Sequence, residues 1–221
     1  MGSLGGILLD VTKNQLFRGS ILSSIAHAIM TNTYPELSYE QSWDGCNFSM
    51  NDGNGIRGTI TFLENQCIGA IRNESGNIVC GHEAILSLIK SFPLELSCIA
   101  QTDTLQYLLD YYGDEIMPGI TSIFWCDCCK LYWISDNYSS FKRDFELFQI
   151  CALPQRDAIT ALQAYYGMNA DSLELLHELF EKKSSCFSEQ VVLSELQKSK
   201  IPGKVINDEC SESFREMNIV C

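Results

Sequence analysis

The sequence predicts an α+β fold, with an antiparallel β-meander and hairpins packed against helices and a helical C-terminal part. Three observations carry this. Residues 13–31 repeat apolar side chains at helical spacing, residues 38–72 alternate and are broken by Asn, Asp and Gly, and helical stripes dominate after Tyr138.

The first helix runs from about Lys13 to Thr31, where Leu16, Ile21, Ile25, Ala28 and Ile29 share a face and Pro35 closes the region. A three-stranded antiparallel meander follows, from about Ser38 to Ile71. Its turns are Asn51-Asp52-Gly53-Asn54-Gly55 and Glu64-Asn65-Gln66. The run Ile56-Arg57-Gly58-Thr59-Ile60-Thr61-Phe62 alternates apolar and polar residues, so one face is expected to be buried and the other wet. Helices are expected from His82 to Ser91, stopped by Pro93, and from Thr102 to Tyr112, with Leu105, Leu108, Leu109 and Tyr112 on one face and Gly113 at the end.

Pro118-Gly119 introduces two aromatic-rich runs, Ile120 to Cys126 and Lys130 to Ser135, that read as a hairpin joined by Asp127-Cys128-Cys129. Beyond Tyr138 come the stripe Phe141, Phe145, Phe148 and the helical stretches Ala158–Tyr165 and Leu173–Phe180. Asp171 and Glu174 resemble a capping box before the second of these. A shorter helix is expected from Glu189 to Lys198, ended by Pro202-Gly203. This divides the chain into a mixed α/β region over 1–137, with a meander around 38–72 and a hairpin around 119–135. A helical region over 138–200 packs on it in one domain, followed by a weakly structured tail over 201–221.

Composition narrows the function. Of 221 residues 46% are hydrophobic, far too many for a disordered chain. Fifteen Lys and Arg oppose 28 Asp and Glu, a net charge of −13. The excess is spread evenly, −6 up to residue 110 and −7 after it, so it belongs to the whole surface. Direct nucleic-acid binding is not expected, because phosphate contact requires clustered Lys and Arg. The 11 cysteines are an odd number, and the opening Met1-Gly2-Ser3-Leu4-Gly5-Gly6-Ile7-Leu8-Leu9 has no cationic lead and is broken by Asp10. Gly6 stands where a myristoylation motif wants Ser or Thr, and a terminal Cys221 does not fit prenylation. No run is long enough to span a bilayer. The expectation is a cytoplasmic protein with free thiols, not bound to a membrane.

Several motifs suggest chemistry. Gly53-Asn54-Gly55-Ile56-Arg57-Gly58 matches G-x-G-x-x-G, but a strand follows it rather than the helix a nucleotide fingerprint requires, so hairpin-turn glycines are the expected role. Cys126, Cys128 and Cys129 are soft ligands close enough for zinc, yet paired C-x-x-C units are missing, and no metal or other cofactor is expected. Cys80-Gly81-His82-Glu83 places a thiol beside a helix start, but adjacent residues rarely form a catalytic triad. His27, between Ala26 and Ala28, reads as a core or boundary histidine.

The most informative constellation is Tyr39, Glu40, Trp43, Asp44 and Asn47 opposite Arg57, with Arg72 on the next strand. Asp44 or Glu40 is expected to pair with one of the arginines and hold its guanidinium for a carboxylate, phosphate or peptide group. Tyr39 and Trp43 would form the apolar wall of that site or a protein-binding hot spot. The competing and favoured reading is structural, a cross-strand salt bridge with Trp43 in the core. No catalytic residue set emerges. The function expected is a non-enzymatic acidic interaction protein, an inhibitor or immunity-type antagonist of a basic protein partner. The alternative is an enzyme or small-ligand sensor with its site around Trp43, Asp44 and Arg57.

Overall fold

The computed structural model describes residues 3–5 and 11–221, so most of the stretch on which the leader and acylation readings rest lies outside the described residues. The chain divides into two compact units. One holds the residues up to Asn14 together with Cys46–Gln149, and the other holds Gln15–Gly45 with Ile150–Cys221. In chain order, β1 (Ser3–Gly5) precedes α1 (Lys13–Met30), β2 (Gln41–Asp44), β3 (Asn47–Asn51), β4 (Ile56–Phe62) and β5 (Cys67–Asn73). Next come β6 (Val79–Cys80), α2 (His82–Leu88), α3 (Leu94–Thr102), β7 (Leu109–Tyr112), β8 (Glu115–Ile120), β9 (Ser122–Cys126) and β10 (Leu131–Ser135). The remainder is α4 (Tyr138–Phe145), α5 (Gln149–Ala152), α6 (Gln155–Tyr166), α7 (Ala170–Ser185), β11 (Val191–Val192), α8 (Glu195–Lys198), α9 (Asp208–Glu216) and β12 (Ile219–Val220). The α+β class and the antiparallel meander agree with the sequence.

In the first unit, six antiparallel strands run in the order β1-β10-β9-β5-β4-β3. Side chains alternate across this sheet, and both faces are covered. One face presents Ile68, Ala70, Ile123 and Ile134 to Ile85 of α2, Ile89 just after it, Leu96 and Ala100 of α3, and Leu105 of the short 3-10 turn Thr104–Leu108. The other carries Phe124, which meets Phe141, Phe145 and Phe148 edge-on at 5.3–6.3 Å. Each fully buried ring contributes about 1.5–3 kcal/mol of burial free energy. The wet face expected of β4 is therefore absent. Thr59 and Thr61 are buried, and they tolerate it because Thr59 bonds Ser49 at 2.8 Å and Thr61 bonds Asn47 and Thr104 at 2.7 Å each. Asp144 is likewise buried, accepting from Asn73, Thr121 and Ser122 at 2.6–2.9 Å.

The expected helix from Thr102 to Tyr112 is the main departure. Pro93 both ends the preceding helical stretch and opens α3, the chain then makes the 3-10 turn, and Leu109 begins a strand. Gly113, at φ 68°, is not a helix end but the turn of a two-residue β7–β8 hairpin, where positive φ matches the strand twist. Pro118 lies inside β8, opposite Leu109, and β8 pairs β6 on its other side.

In the second unit α1 buries Leu16, Ile21, Leu22, Ile25 and Ile29. The α7 helix is capped by Asn169, which accepts from the Ser172 amide, instead of by Asp171 with Glu174. A true capping box does occur, between Ser194 and Gln197. The expected 189–198 helix is shorter, because the β-branched pair Val191–Val192 joins Ile219–Val220 as two parallel strands. The 201–221 segment, expected to be weakly structured, carries α9 and β12. Cys210, Phe214 and Met217 make a narrow buried stripe there, and Asn207 caps the helix. Among the described residues, no helix is long and apolar enough to cross a membrane.

Candidate functional site

Antiparallel register places Arg57 directly opposite Arg72 on the face of β4 and β5 that the β7–β8 hairpin covers. Two guanidiniums side by side repel, and a carboxylate between them offsets that. Asp110 of β7 is that carboxylate. Its Oδ2 accepts from Arg57 Nη2 at 3.1 Å and forms an ion pair with Arg72 Nη1 at 2.8 Å. Arg57 also donates to the Leu109 carbonyl at 3.3 Å. The Tyr111 amide donates to Asp110 Oδ1 at 2.8 Å, and that bond, together with the Arg72 and Arg57 charges, holds the Asp110 carboxyl below the usual carboxylate range. These bonds also occupy backbone groups on the free edge of β7, which blunts it against pairing with another strand.

Tyr112 completes the cluster. Its hydroxyl accepts from Arg72 Nη1 at 2.9 Å, and its ring lies under the guanidinium, 5.5 Å from the centroid. Burial and a hydrogen bond with the Cys80 thiol push the Tyr112 hydroxyl up to about 12, so it stays neutral. Gly119 makes this possible, since a Cβ there would stand 1.8 Å from the Tyr112 hydroxyl. Cys80 thus bonds Tyr112, and it lies next to Gly81, the N-cap of the seven-residue α2. The arginine donors are not exhausted. Arg72 Nε is buried with no acceptor among the described residues.

The hairpin's outer side differs. Tyr111 and Ile116 are cross-strand partners, 74% and 57% exposed, and Asp114 and Glu115 at the turn are exposed beside them.

Of the expected constellation, Asn47, Arg57 and Arg72 belong to the first unit, and Tyr39, Glu40, Trp43 and Asp44 to the second. The carboxylate shared by the arginines is Asp110, not Asp44 or Glu40. Asn47 accepts from Thr61 and donates to the Tyr107 hydroxyl at 3.2 Å. Glu40 is buried and accepts from Tyr165 at 2.8 Å, Asp44 is exposed, and Tyr39 is 55% exposed. Trp43 takes the core role and not that of a pocket wall. It is buried against Phe187 at 4.6 Å and Phe17 at 6.2 Å, and its indole donates to Ser24 at 2.8 Å. From Ser24 a neutral chain continues through Gln41 and the Tyr166 hydroxyl to His27 Nδ1, with links of 3.1–3.4 Å. Burial lowers the His27 pKa to about 4.

Three other motifs resolve. The G-x-G-x-x-G turn directs its amides inward, with Asp52 Oδ1 accepting from Asn54 and Ile56 at 2.8 and 2.9 Å. Cys126 is buried and donates to the Val11 carbonyl, so it points away from the thiol cluster. Cys128 and Cys129 are exposed, and with Asp127 they form a group of metal-ligating atoms lying within 4.8 Å of one another. Asp110, Tyr111 and Tyr112 are not legible as site residues because Gly113 reads as a helix end, which puts Tyr112 on a helix face. The Gly113-Asp114 pair between Tyr-Tyr and Glu-Ile-Met was the hairpin signal that could have found them.

No family model matches this chain. Neither its sequence nor its fold matches a curated protein or a solved structure.

Proposed function

We propose that the protein is a non-enzymatic interaction module that docks a basic protein on the β7–β8 hairpin, acting as an antagonist of that partner. The observation that supports it is the exposed Tyr111–Ile116 pair beside the acids Asp114 and Glu115. Tyrosine is over-represented among the residues that dominate binding, and an aromatic–aliphatic pair on a braced hairpin is ordered before the partner arrives. The net charge of −13 would steer a cationic protein toward the surface. Asp110 is already committed to Arg57 and Arg72, so the turn carboxylates are the ones left to meet partner lysines and arginines.

A photo-crosslinking side chain at position 111 in a lysate of the source cells should capture a basic protein. Purified, that protein should bind more weakly as salt rises, and at least about tenfold more weakly to the Tyr111→Ala/Ile116→Ala variant. An acidic partner, salt-independent binding or indifference to both substitutions would overturn the reading.

A second reading, a small-anion sensor, is favoured by the unused donors of Arg57 and Arg72. It predicts a thermal shift with inorganic phosphate or citrate that disappears in Arg57→Gln. A shift of equal size in the variant removes it.

A further inference from the structure

We propose that the β9–β10 turn is a metal site, in which Cys128, Cys129 and the carboxylate of Asp127 hold one soft, tetrahedral ion of the zinc class, with water in the fourth position. One ligand atom from each residue lies within 4.8 Å of the other two, and the two sulfurs are 3.4 Å apart. Zinc–sulfur bonds of about 2.3 Å at a tetrahedral angle place two sulfurs about 3.8 Å apart. The thiols need to separate by only a few tenths of an ångström. Both are exposed, so their rotamers are free to make that movement.

The turn is braced before any ion arrives. Asp127 Oδ1 accepts from the amides of Cys129 and Lys130 at 2.7 and 2.8 Å, which fixes the carboxylate over the turn. The Asp127 amide donates to the Lys130 carbonyl at 3.1 Å, and its own carbonyl accepts from the Lys13 amide at 3.0 Å. Cys126, buried just before the turn, anchors it to Val11. The second carboxylate oxygen carries no hydrogen bond among the described residues, so it remains available to a cation.

Donor chemistry selects the ion. Two thiolates favour zinc or cuprous copper over magnesium or calcium, and a carboxylate with water suits the divalent ion. Binding converts two thiols to thiolates and releases two protons to solvent while the dication takes their place. Two thiolates and one carboxylate then face a charge of +2, with Lys130 adjoining, so the loaded turn is nearly neutral. The acidic surface also raises the local concentration of cations. The sequence alone leads to no expected metal, and the site differs from the three-cysteine cluster weighed there in one ligand: Asp127 replaces Cys126, whose sulfur donates to the Val11 carbonyl.

The test uses the purified full chain, kept reduced with a phosphine, loaded with zinc and passed through a desalting column. Metal analysis should find one zinc per chain, retained in competition with a chromophoric chelator. Cys128→Ser and Cys129→Ser should each weaken binding at least about tenfold, and Asp127→Asn by a smaller factor. Cys98→Ser and Cys186→Ser, at exposed thiols elsewhere, should bind as the parent does. Cobalt(II) in place of zinc should give thiolate-to-metal absorbance that the Cys128→Ser/Cys129→Ser variant lacks, and circular dichroism should be unchanged because both thiols are exposed. No retained zinc in the parent chain, or equal retention and equal cobalt spectra in the double variant, would overturn the proposal.

Discussion

Two polar assemblies, one in each unit, behave in opposite ways. Around Asp110 the groups are charged and partly open: Arg57 and Asp110 are each about a third exposed, and two cations share one anion. Around His27 the groups are buried and neutral, and Trp43, Ser24, Gln41, Tyr166 and His27 pass hydrogen bonds from one to the next. Burial makes the difference. Burial disfavours the charged form of His27, so this chain is neutral, and it specifies how the surrounding apolar residues pack. The charged cluster instead stays partly exposed, and its charges are balanced by sharing one carboxylate between two guanidiniums. The sequence puts Trp43 and Arg57 in one expected site; the structure makes the first a packing element and the second a surface one.

The contrast breaks most visibly at Trp43. Trp43→Ala should lower the stability of its unit by about 3–5 kcal/mol in a denaturant titration, because it removes the ring beside Phe187 and takes the indole donor from the Ser24 oxygen, which keeps only its bond to Gln41. A loss below about 1 kcal/mol would place Trp43 outside the core. Next in size is a pH effect. His27 in the unfolded chain takes a proton below about 6.5, whereas the folded one resists until about 4. Stability from this group is therefore intact above pH 6.5, falls as pH drops from 6.5 to 4, and is flat below, for a total of roughly 3 kcal/mol. His27→Gln should flatten that slope; an unchanged slope would assign it to other groups.

A smaller effect belongs to the charged cluster. Asp110→Asn should cost about 1–2 kcal/mol, since Arg72 loses its counter-charge while keeping Tyr112. The smallest is at the hairpin's outer side, where Tyr111→Ala with Ile116→Ala should shift stability by no more than about 0.5 kcal/mol. A large loss there would mean that the pair supports the fold and is not free for a partner.

Much of the architecture was legible. The β3–β5 meander is announced by its Asn-Asp-Gly turn and alternating runs, and the β9–β10 hairpin by two aromatic runs around Asp-Cys-Cys. Register then follows, and with it the pairing of Arg57 with Arg72. The strand β7 is hidden because Leu105, Leu108, Leu109 and Tyr112 fit a helical period, while in the structure a 3-10 turn buries Leu105 and Leu108 and then runs into a strand on which Leu109 and Tyr112 are half-buried. Asp110 was lost with it. The burial of Trp43 is the structural role its sequence context allows, but its partners are not legible: Phe17 and Phe187 meet it only after the chain has folded back from far along the sequence.

Asp52 gives the glycine-rich turn a meaning that its letters alone do not convey. Its carboxylate already sits where a phosphate would collect the amides of Asn54 and Ile56. Because it is tethered within the same loop, its effective concentration there far exceeds that of a dissolved anion. The turn carries its own occupant: a free phosphate would have to compete with a ligand that can never diffuse away.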